Sequence, residues 1–415
     1  MEKLQKFLKI EKKVTRILTD FEFYFWQSTR FLILQNYLYQ FDNNKNNRLR
    51  SIYSNISLKR FFLIFKSFVQ ILSLVFKGCN YERVFLINER TLEYSSDGYY
   101  DPDFSNFYNN RTLVVVIPDP DAATPKDNLV YSNCLRLDFL IMLEMVLEFF
   151  SKLITVKSKF KSIKILKVVK MYQNKHLVFR LRRNFYKLFF FKVKPIDVYL
   201  KSSYSSLQKC FIIGAKERLG INIVELQHSF IYEDHPGYVL PYSKDCALPN
   251  KIIVGDNFSL KNLVKMGWPD DAIVYQGRKK SNPRQDGKTS SGGENVLIIS
   301  QITVLADLVE CINNIDNRFH ISVKLHPREY QAQYEYFRDK IKRGGVKILP
   351  KDCDIDICIL NSDIVIGSYS TALYEAMNLG KRVIVINKRG LDVFSEFVNN
   401  KKMEFITLSN IKVKI

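Results

Sequence analysis

Two histidines and a pair of hydroxyl side chains follow apolar segments that are typical of buried strands. His228 comes after 222–226, and His326 comes after 320–325. A histidine titrates near neutrality, so it can take or give a proton at physiological pH. Ser370 and Thr371 follow a third apolar segment, and hydroxyls at the start of a helix suit a phosphate. The pattern therefore favours acid–base chemistry beside a phosphate group.

The segment KLHPRE (324–329) surrounds His326 with groups that suit an anion. Lys324 lies two positions before His326, an arginine lies two positions after it, and Pro327 fixes the backbone. Such a setting fits a phosphate-bearing leaving group. The alternative is a hydrogen-bonded histidine at a helix start. His320, at the beginning of the same strand, is expected to be structural.

The segment GSYSTALYEA (367–376) combines a glycine turn with a capped helix start. Gly367 permits a close approach of the backbone, and Ser370 or Thr371 is a good N-cap residue. Glu375 follows within the next turns. The free N–H groups of this helix suit a phosphate, although a plain capped helix gives the same pattern.

The stretch VELQHSFIYEDHPGY (224–238) gathers several titratable groups after a strand. We interpret His228 as a general base or a substrate contact, with Glu233 and Asp234 as alternative bases. A metal site that also uses His235 is disfavoured, because a spacing of seven residues across a loop is not a known ligand pattern and HExxH is absent.

A second metal hypothesis rests on Asp119-Pro120-Asp121, which follows an apolar run. In one class of sugar transferases a DxD motif holds a divalent metal on a nucleotide diphosphate, but the prolines here favour an ordinary turn. The phosphate-binding patterns GxxxxGK[ST] and GxGxxG are absent. We expect no metal and no cofactor.

The spacing of the apolar segments predicts the elements that carry these residues. Residues 1–80 have helical periodicity, and the apolar run 61–76 predicts a buried helix, with an interfacial helix as the alternative. Two series of alternating strands and helices follow, joined by a Ser/Gly-rich linker at 281–295. They predict an α/β fold with two Rossmann-like doubly wound domains that face a cleft. We place the domains at 1–245 and 246–415.

The charge of the chain is strongly positive and unevenly distributed. The formal net charge is +21, and residues 151–210 hold 16 Lys and Arg but one acid, Asp197. A basic surface of this kind favours an anionic partner, which could be nucleic acid, anionic lipid or a polyanionic sugar. RNA is disfavoured because no RNA-binding signature accompanies the charge. Seven cysteines without a CxxC pair and an N-terminus without an apolar signal region predict a cytoplasmic protein.

In combination, strand-QH, strand-KxHP and strand-GSxST-xxxEA over 195–390 resemble GT-B glycosyltransferases. They look most like bacterial enzymes of capsule, O-antigen and lipooligosaccharide assembly. The HP and Ser/Thr pairs resemble motifs of sialyltransferases and Kdo transferases, which use CMP-sugars. The QH element is also similar to that of CDP-glycerol glycerophosphotransferases of teichoic acid synthesis.

The resemblance implies a metal-independent, inverting transfer. His228 would take the proton of the acceptor hydroxyl, with Glu233 as the alternative base, and His326 would assist the departing phosphate. The remaining donor-binding positions are Lys324, Pro327, Gln301, Asp352, Gly367, Ser368, Ser370, Thr371 and Glu375. Of these, Gln301 and Asp352 would face the nucleoside, and Glu375 would reach a ribose hydroxyl or cap its helix.

The implied partners are a nucleotide sugar, a glycan or lipid-linked acceptor, and the inner face of the cell membrane as a peripheral contact, without nucleic acid. A CDP-polyol phosphotransferase is the main alternative. A sugar-nucleotide epimerase and a non-enzymatic membrane-surface or RNA-binding protein are further alternatives.

Overall fold

The computed structural model describes residues 2–15, 25–31, 33–34, 58–77, 81–95, 98–118, 134–153, 176–228, 230–240, 247–277, 295–326, 330–350 and 353–411. The chain forms two compact units, Met1–Arg278 and Lys279–Ile415.

The first unit is built on a seven-stranded parallel sheet. Its strands, with a short hairpin (β2, β3), are β1 (Arg83–Asn88), β2 (Glu93–Ser95), β3 (Gly98–Tyr100), β4 (Thr112–Ile117), β5 (Cys134–Arg136), β6 (Asp197–Lys201), β7 (Asn222–Leu226), β8 (Lys251–Val254) and β9 (Ile273–Tyr275). The order in the sheet is β5-β4-β1-β6-β7-β8-β9. Strands β4 and β5 are added on one side of β1, and strands β6 to β9 are then added on its other side. This strand order is doubly wound topology.

Helices cover one face of this sheet. They are α1 (Glu2–Thr15), α2 (Leu58–Lys77), α3 (Asp138–Leu153), α4 (His176–Val193), α5 (Ser206–Lys216) and α6 (Asn257–Lys265). Phe190 of α4 and Phe211 of α5 pack on alternate strand residues such as Val84 and Leu86. The intervening residue Phe85 points to the other face and stacks on Tyr199 with ring centroids 4.7 Å apart.

The N-terminal helical region is tied to a loop far along the sequence. Arg30 forms a buried ion pair with Glu11 at 2.5 Å. The same guanidinium donates a hydrogen bond to the carbonyl oxygen of Val239 at 2.8 Å. The ion pair therefore joins the start of the chain to the loop that follows β7.

The second unit is a six-stranded parallel sheet with helices between its strands. Its elements are β10 (Asn295–Ile299), α7 (Leu305–Asn314), β11 (His320–Lys324), α8 (Tyr330–Lys340), β12 (Lys347–Ile348), α9 (Ile355–Leu360), β13 (Ile364–Gly367), α10 (Thr371–Asn378), β14 (Arg382–Val385), α11 (Asn387–Asn399) and β15 (Glu404–Phe405). The strand order β12-β11-β10-β13-β14-β15 reverses between β10 and β13, as in a Rossmann fold.

The predicted fold class, two Rossmann-like doubly wound α/β units with N-terminal helices, is confirmed. The predicted boundary between residues 245 and 246 is wrong. Strand β8 pairs with β7 and strand β9 pairs with β8, so 251–275 completes the first sheet and the first unit ends at Arg278.

Candidate functional site

The reversal of strand order in the second sheet brings two predicted segments together. Strands β10 and β13 pair in parallel, so the residues that follow them leave the same edge side by side. Gln301, which follows β10, accepts a hydrogen bond through Oε1 from the backbone N–H of Tyr369 at 3.1 Å. The hydroxyls of Thr303 and Tyr369 also hydrogen-bond. In open parallel sheets this is the place where ligands bind.

His326 leaves the same edge from the neighbouring strand, β11. Its backbone N–H donates to Oε1 of the buried Gln333 at 3.3 Å. That oxygen also accepts a hydrogen bond from Ser300 Oγ at 2.8 Å. Gln333 therefore links the ends of β10 and β11, and it positions His326 with its side chain exposed at the surface.

The turn after β13 is fixed by an asparagine that the sequence analysis missed. Ser368 is fully buried, and its hydroxyl donates to Asn387 Oδ1 at 2.9 Å. Asn387 adopts a positive φ of 62° and donates through Nδ2 to Asp307 Oδ2 at 2.8 Å. Asparagine is among the residues that tolerate this backbone region. Its position two residues after strand β14 and three residues before Gly390 was the available signal.

Helix α10 begins at this turn with its N-terminus open to an anion. Ser370 is the N-cap residue, and its Oγ accepts a hydrogen bond from the Ala372 N–H at 3.4 Å. The first turn contains no acidic residue, so the partial positive charge of the helix start is not neutralised there. Thr371 and Glu375 are both half-buried on α10.

Lys324 occupies a different position from the one that its sequence neighbours suggested. It is 6% exposed, and Nζ donates to the carbonyl oxygen of Pro350 at 3.3 Å. Two thiols lie nearby, those of Cys353 and Cys358, with their Sγ atoms 3.1 Å apart. Burial raises the pKa of Cys358 to about 12, so this group stays a thiol. The predicted residues Pro327 and Asp352 lie outside the described residues.

In the first unit, the two histidines of the stretch 224–238 differ in exposure. His228 follows β7 and is exposed, and Glu233 is exposed on the next turn. His235 is buried, and its Nδ1 accepts a hydrogen bond from the Gly237 N–H at 3.1 Å. His235 therefore has a structural role, whereas His228 and Glu233 are accessible to a substrate.

Gln227, which precedes His228, is buried and does not project from the strand tip. It is 8% exposed, its Nε2 donates to Asp256 Oδ2 and Ser259 Oγ at 2.8 Å each, and its Oε1 accepts from the Gly255 N–H. These bonds tie β7 to α6 and fix the backbone from which His228 extends.

Glu225, three residues before His228, is a fully buried carboxyl group. Its Oε1 accepts hydrogen bonds from the Ser203 N–H and the Tyr238 hydroxyl, both at 3.0 Å. Loss of hydration raises the pKa of Glu225 above its ordinary value. The Glu225 carboxyl group thus anchors the loop of residues 230–240 to strand β7 through its hydrogen bond with Tyr238.

Within the described part of the chain, no three His, Cys, Asp or Glu side chains come together in a way that could hold a metal ion. Asp119 and Asp121 lie outside that part. A second Asp-Pro-Asp triplet, at 101–103, is engaged within the fold, because Asp101 is 1% exposed and accepts a hydrogen bond from Lys201 Nζ at 2.8 Å.

The alpha-2,8-polysialyltransferase family model matches residues 295–385. This match lies within the second unit and contains both the KxHP and the GSxST segments. No curated protein matches the chain.

Several solved structures are similar to the chain at low identity. The UDP-GlcNAc 2-epimerase of Methanocaldococcus jannaschii has 13% identity and a TM-score of 0.46, with 80% of this chain and 92% of that chain covered. The UDP-GlcNAc 2-epimerase of Neisseria meningitidis has 13% identity and a TM-score of 0.42, with 80% and 89% covered. The calicheamicin glycosyltransferase has 10% identity and a TM-score of 0.43, with 80% and 87% covered. Similarity at this level carries no inference about activity.

Proposed function

We propose that the protein is a glycosyltransferase of bacterial surface polysaccharide synthesis. It moves a sugar from a nucleotide-activated donor to a glycan or lipid-linked acceptor, and a CMP-sugar is favoured over a UDP-sugar. The observation that carries the proposal is the junction of Gln301 with Tyr369 at the strand reversal of the second sheet. The same segment matches the polysialyltransferase family model, whose named activity transfers a sialic acid.

The donor phosphate is proposed to bind at the start of α10. The helix dipole, the backbone N–H groups after Gly367, and the hydroxyls of Ser370 and Thr371 favour a negative group there. Because the Ser368 hydroxyl is engaged with Asn387, this residue contributes through its backbone. His326 is exposed at the end of β11, which is separated from β13 by β10 in the sheet. It donates a hydrogen bond or a proton to the leaving phosphate.

The chemical step needs a base on the acceptor side. The acceptor oxygen forms a bond to the anomeric carbon while the bond from that carbon to the donor phosphate breaks, with inversion. His228 takes the proton of the acceptor hydroxyl, and Glu233 is the alternative base. The leaving nucleotide carries away the bonding electrons, and the helix start stabilises the resulting charge without a metal.

Thermal-shift measurements with CMP, CDP, UDP, GDP and TDP test the donor. A nucleotide at 100 times its Kd stabilises the folded protein by about 2.7 kcal/mol. We expect CMP to raise the Tm most. If none of the five nucleotides raises it, the proposed donor site is wrong.

A matched pair of histidine variants tests the site. His326 follows the carboxyl end of β11 and His320 begins the same strand, and both are exposed. His326→Ala is expected to abolish most turnover, whereas His320→Ala keeps it. Equal activity in the two variants would contradict the role of His326.

Product analysis separates the proposal from its main alternative. A glycosidic linkage supports it, and a phosphodiester linkage identifies a CDP-polyol phosphotransferase instead. Turnover is expected to persist in EDTA. Loss of turnover in EDTA that manganese restores would favour the metal hypothesis for Asp119 and Asp121.

The acceptor proposal includes a peripheral contact with the inner face of the cell membrane, for which the basic stretch 151–210 is the support. Part of its charge is used inside the fold, since Arg182 pairs with Glu144 and Arg183 pairs with Glu217. Arg180, a third cation on α4, is exposed.

A further inference from the structure

Helix α2 packs a mixed inner face on strand β5 and exposes apolar side chains on the opposite face. On its inner face, Ser67 Oγ donates to the carbonyl oxygen of Arg136 at 2.6 Å, and Gln70 Nε2 donates to that of Cys134 at 3.0 Å. Ile64 and Leu74 are buried beside them. The inner face therefore holds the helix to the sheet through both hydrogen bonds and apolar contacts, which leaves the outer face to be explained.

The opposite face of α2 carries a row of large apolar side chains. Phe65, Val69, Leu72 and Phe76 are 57%, 48%, 37% and 81% exposed. Their spacing of four, three and four residues aligns them along one side of the helix. Single exposed apolar residues are common, but a contiguous row marks a surface that contacts another apolar phase. The predicted buried helix at 61–76 is thus only half buried.

The neighbouring helix α4 also exposes apolar and basic residues. Leu188 and Phe191 are 43% and 64% exposed. Leu188 borders a cavity of about 40 Å³ shared with Ile71 and Leu74 on the inner side of α2, so α4 packs beside α2. Neither helix contains an acidic residue.

Cations lie along the exposed side of α4. Arg180 and Lys187 are exposed on the same side as Phe191, and Lys194 is exposed just after the helix. Lys187 is 63% exposed although its Nζ lies 3.2 Å from Glu217 Oε2. An apolar row flanked by cations has the composition of a helix that lies in the interface of an anionic bilayer.

We propose that the exposed faces of α2 and α4 dock on an anionic lipid bilayer. Phe65 and Phe76 enter the boundary between headgroups and acyl chains, while Arg180 and Lys194 contact lipid phosphates. Within the described residues, no helix is long and apolar enough to cross a membrane. The proposed contact runs along the bilayer surface, because the apolar row extends along the length of α2. This inference names the surface for the membrane contact in the proposed function. Its biological purpose rests on that proposed function, whereas the binding itself does not.

A second copy of the chain is a poorer occupant of this surface. A symmetric dimer through α2 would bring the same patch of each copy together. The cations of the two α4 helices would then approach one another without an acidic residue from either helix to offset them. Anionic headgroups provide the opposite charge directly.

Vesicle co-sedimentation of the full chain tests the proposal. The vesicles are phosphatidylcholine alone or phosphatidylcholine with phosphatidylglycerol. Wild-type protein is expected to bind the anionic vesicles more tightly than the neutral ones, and less as salt rises. The double variant Phe65→Ser, Phe76→Ser should lose binding by about tenfold for each side chain.

Two further variants sharpen the test. Leu219→Ser is the matched control, because Leu219 is 95% exposed in the same unit but outside both helices, and it should bind like wild type. Arg180→Gln with Lys194→Gln should weaken binding to anionic vesicles and leave binding to neutral vesicles unchanged. The CMP-induced rise in Tm should be the same in all variants, since none changes the second unit.

Several results would overturn the proposal. The first is that the wild-type protein does not bind anionic vesicles. The second is that wild type and the double Phe variant bind them equally. The third is that the wild type is a dimer and the double Phe variant is a monomer with unchanged vesicle binding. Failure here with CMP binding intact would leave the proposed transferase standing. Loss of CMP binding with vesicle binding intact would contradict the proposed transferase and leave the membrane contact standing.

Discussion

Gly390 lies where any side chain would collide with the turn after β13. A Cβ atom built at this position lies 2.6 Å from the carbonyl oxygen of Ser368 and 2.4 Å from Val385 Cγ1. Because carbon atoms pack best at about 3.5–4.0 Å, Val385 would have to move by roughly 1 Å. The carbonyl oxygen belongs to the backbone, so no rotamer change relieves that contact. Gly390→Ala would therefore displace the turn on which Tyr369 and Ser370 depend.

The expected loss of stability follows from two opposing effects. Overpacking in a rigid setting costs about 3 kcal/mol. Alanine in a helix interior recovers about 1 kcal/mol relative to glycine. We therefore expect Gly390→Ala to lower the free energy of unfolding by about 2 kcal/mol, measured by urea denaturation, and to weaken CMP binding in parallel because the displaced turn carries the proposed phosphate site.

Gly344 provides the matched control in the same unit. A Cβ atom there meets no other atom within 4 Å, and its φ lies outside the left-handed region. Gly344→Ala should be neutral or stabilise by about 0.4–1 kcal/mol through the unfolded chain. If the two alanine variants are equally stable and bind CMP equally well, the close contact around Ser368 does not determine the turn.

Three other substitutions probe the fold and the site. Ser370→Ala removes the N-cap of α10 and should cost about 1 kcal/mol by denaturation; Ser370→Asp should restore stability but not CMP binding, and recovery of both would argue against a phosphate there. Burial raises the pKa of Glu225 above its ordinary value of 4.5. At pH values between 4.5 and the pKa in the folded state, the folded protein holds a proton that the unfolded chain lacks. The free energy of unfolding therefore falls as the pH rises through this range. Glu225→Gln should abolish that fall in denaturation across this pH range, and an unchanged slope would refute it. Arg30→Met strands the buried Glu11 and should cost about 3–5 kcal/mol by denaturation, whereas Glu11→Leu added to it should recover much of the loss.

The sequence was most informative about the central strands. Segments such as 222–226 and 364–366 are short apolar runs followed by turn residues, and both are strands. The membership of a strand in a sheet could not be predicted, because pairing depends on residues distant in sequence. This is why β8 and β9 were assigned to the second domain.

The positions of the candidate site residues at the ends of strands were predictable from the sequence, but the hydrogen bonds that fix them were not. That His326 and Gln301 each follow a strand could be inferred from the apolar segments before them. The roles of Gln333 and Asn387 could not, because each joins segments that only the folded sheet brings together. Asn387, for example, bonds to Asp307, which lies 80 residues earlier. Burial of Lys324 was likewise hidden, since its partner is a backbone carbonyl that composition does not reveal.

The bond from Arg30 to Val239 has a consequence for synthesis of the protein. The two residues are 209 positions apart, so Arg30 has its complete set of hydrogen-bond partners only after the ribosome has released residue 239. Domains generally fold as units during translation, and transiently exposed surface invites aggregation. The emerging N-terminal helices are therefore exposed through more than half of elongation, and chaperone binding during translation should concentrate on them.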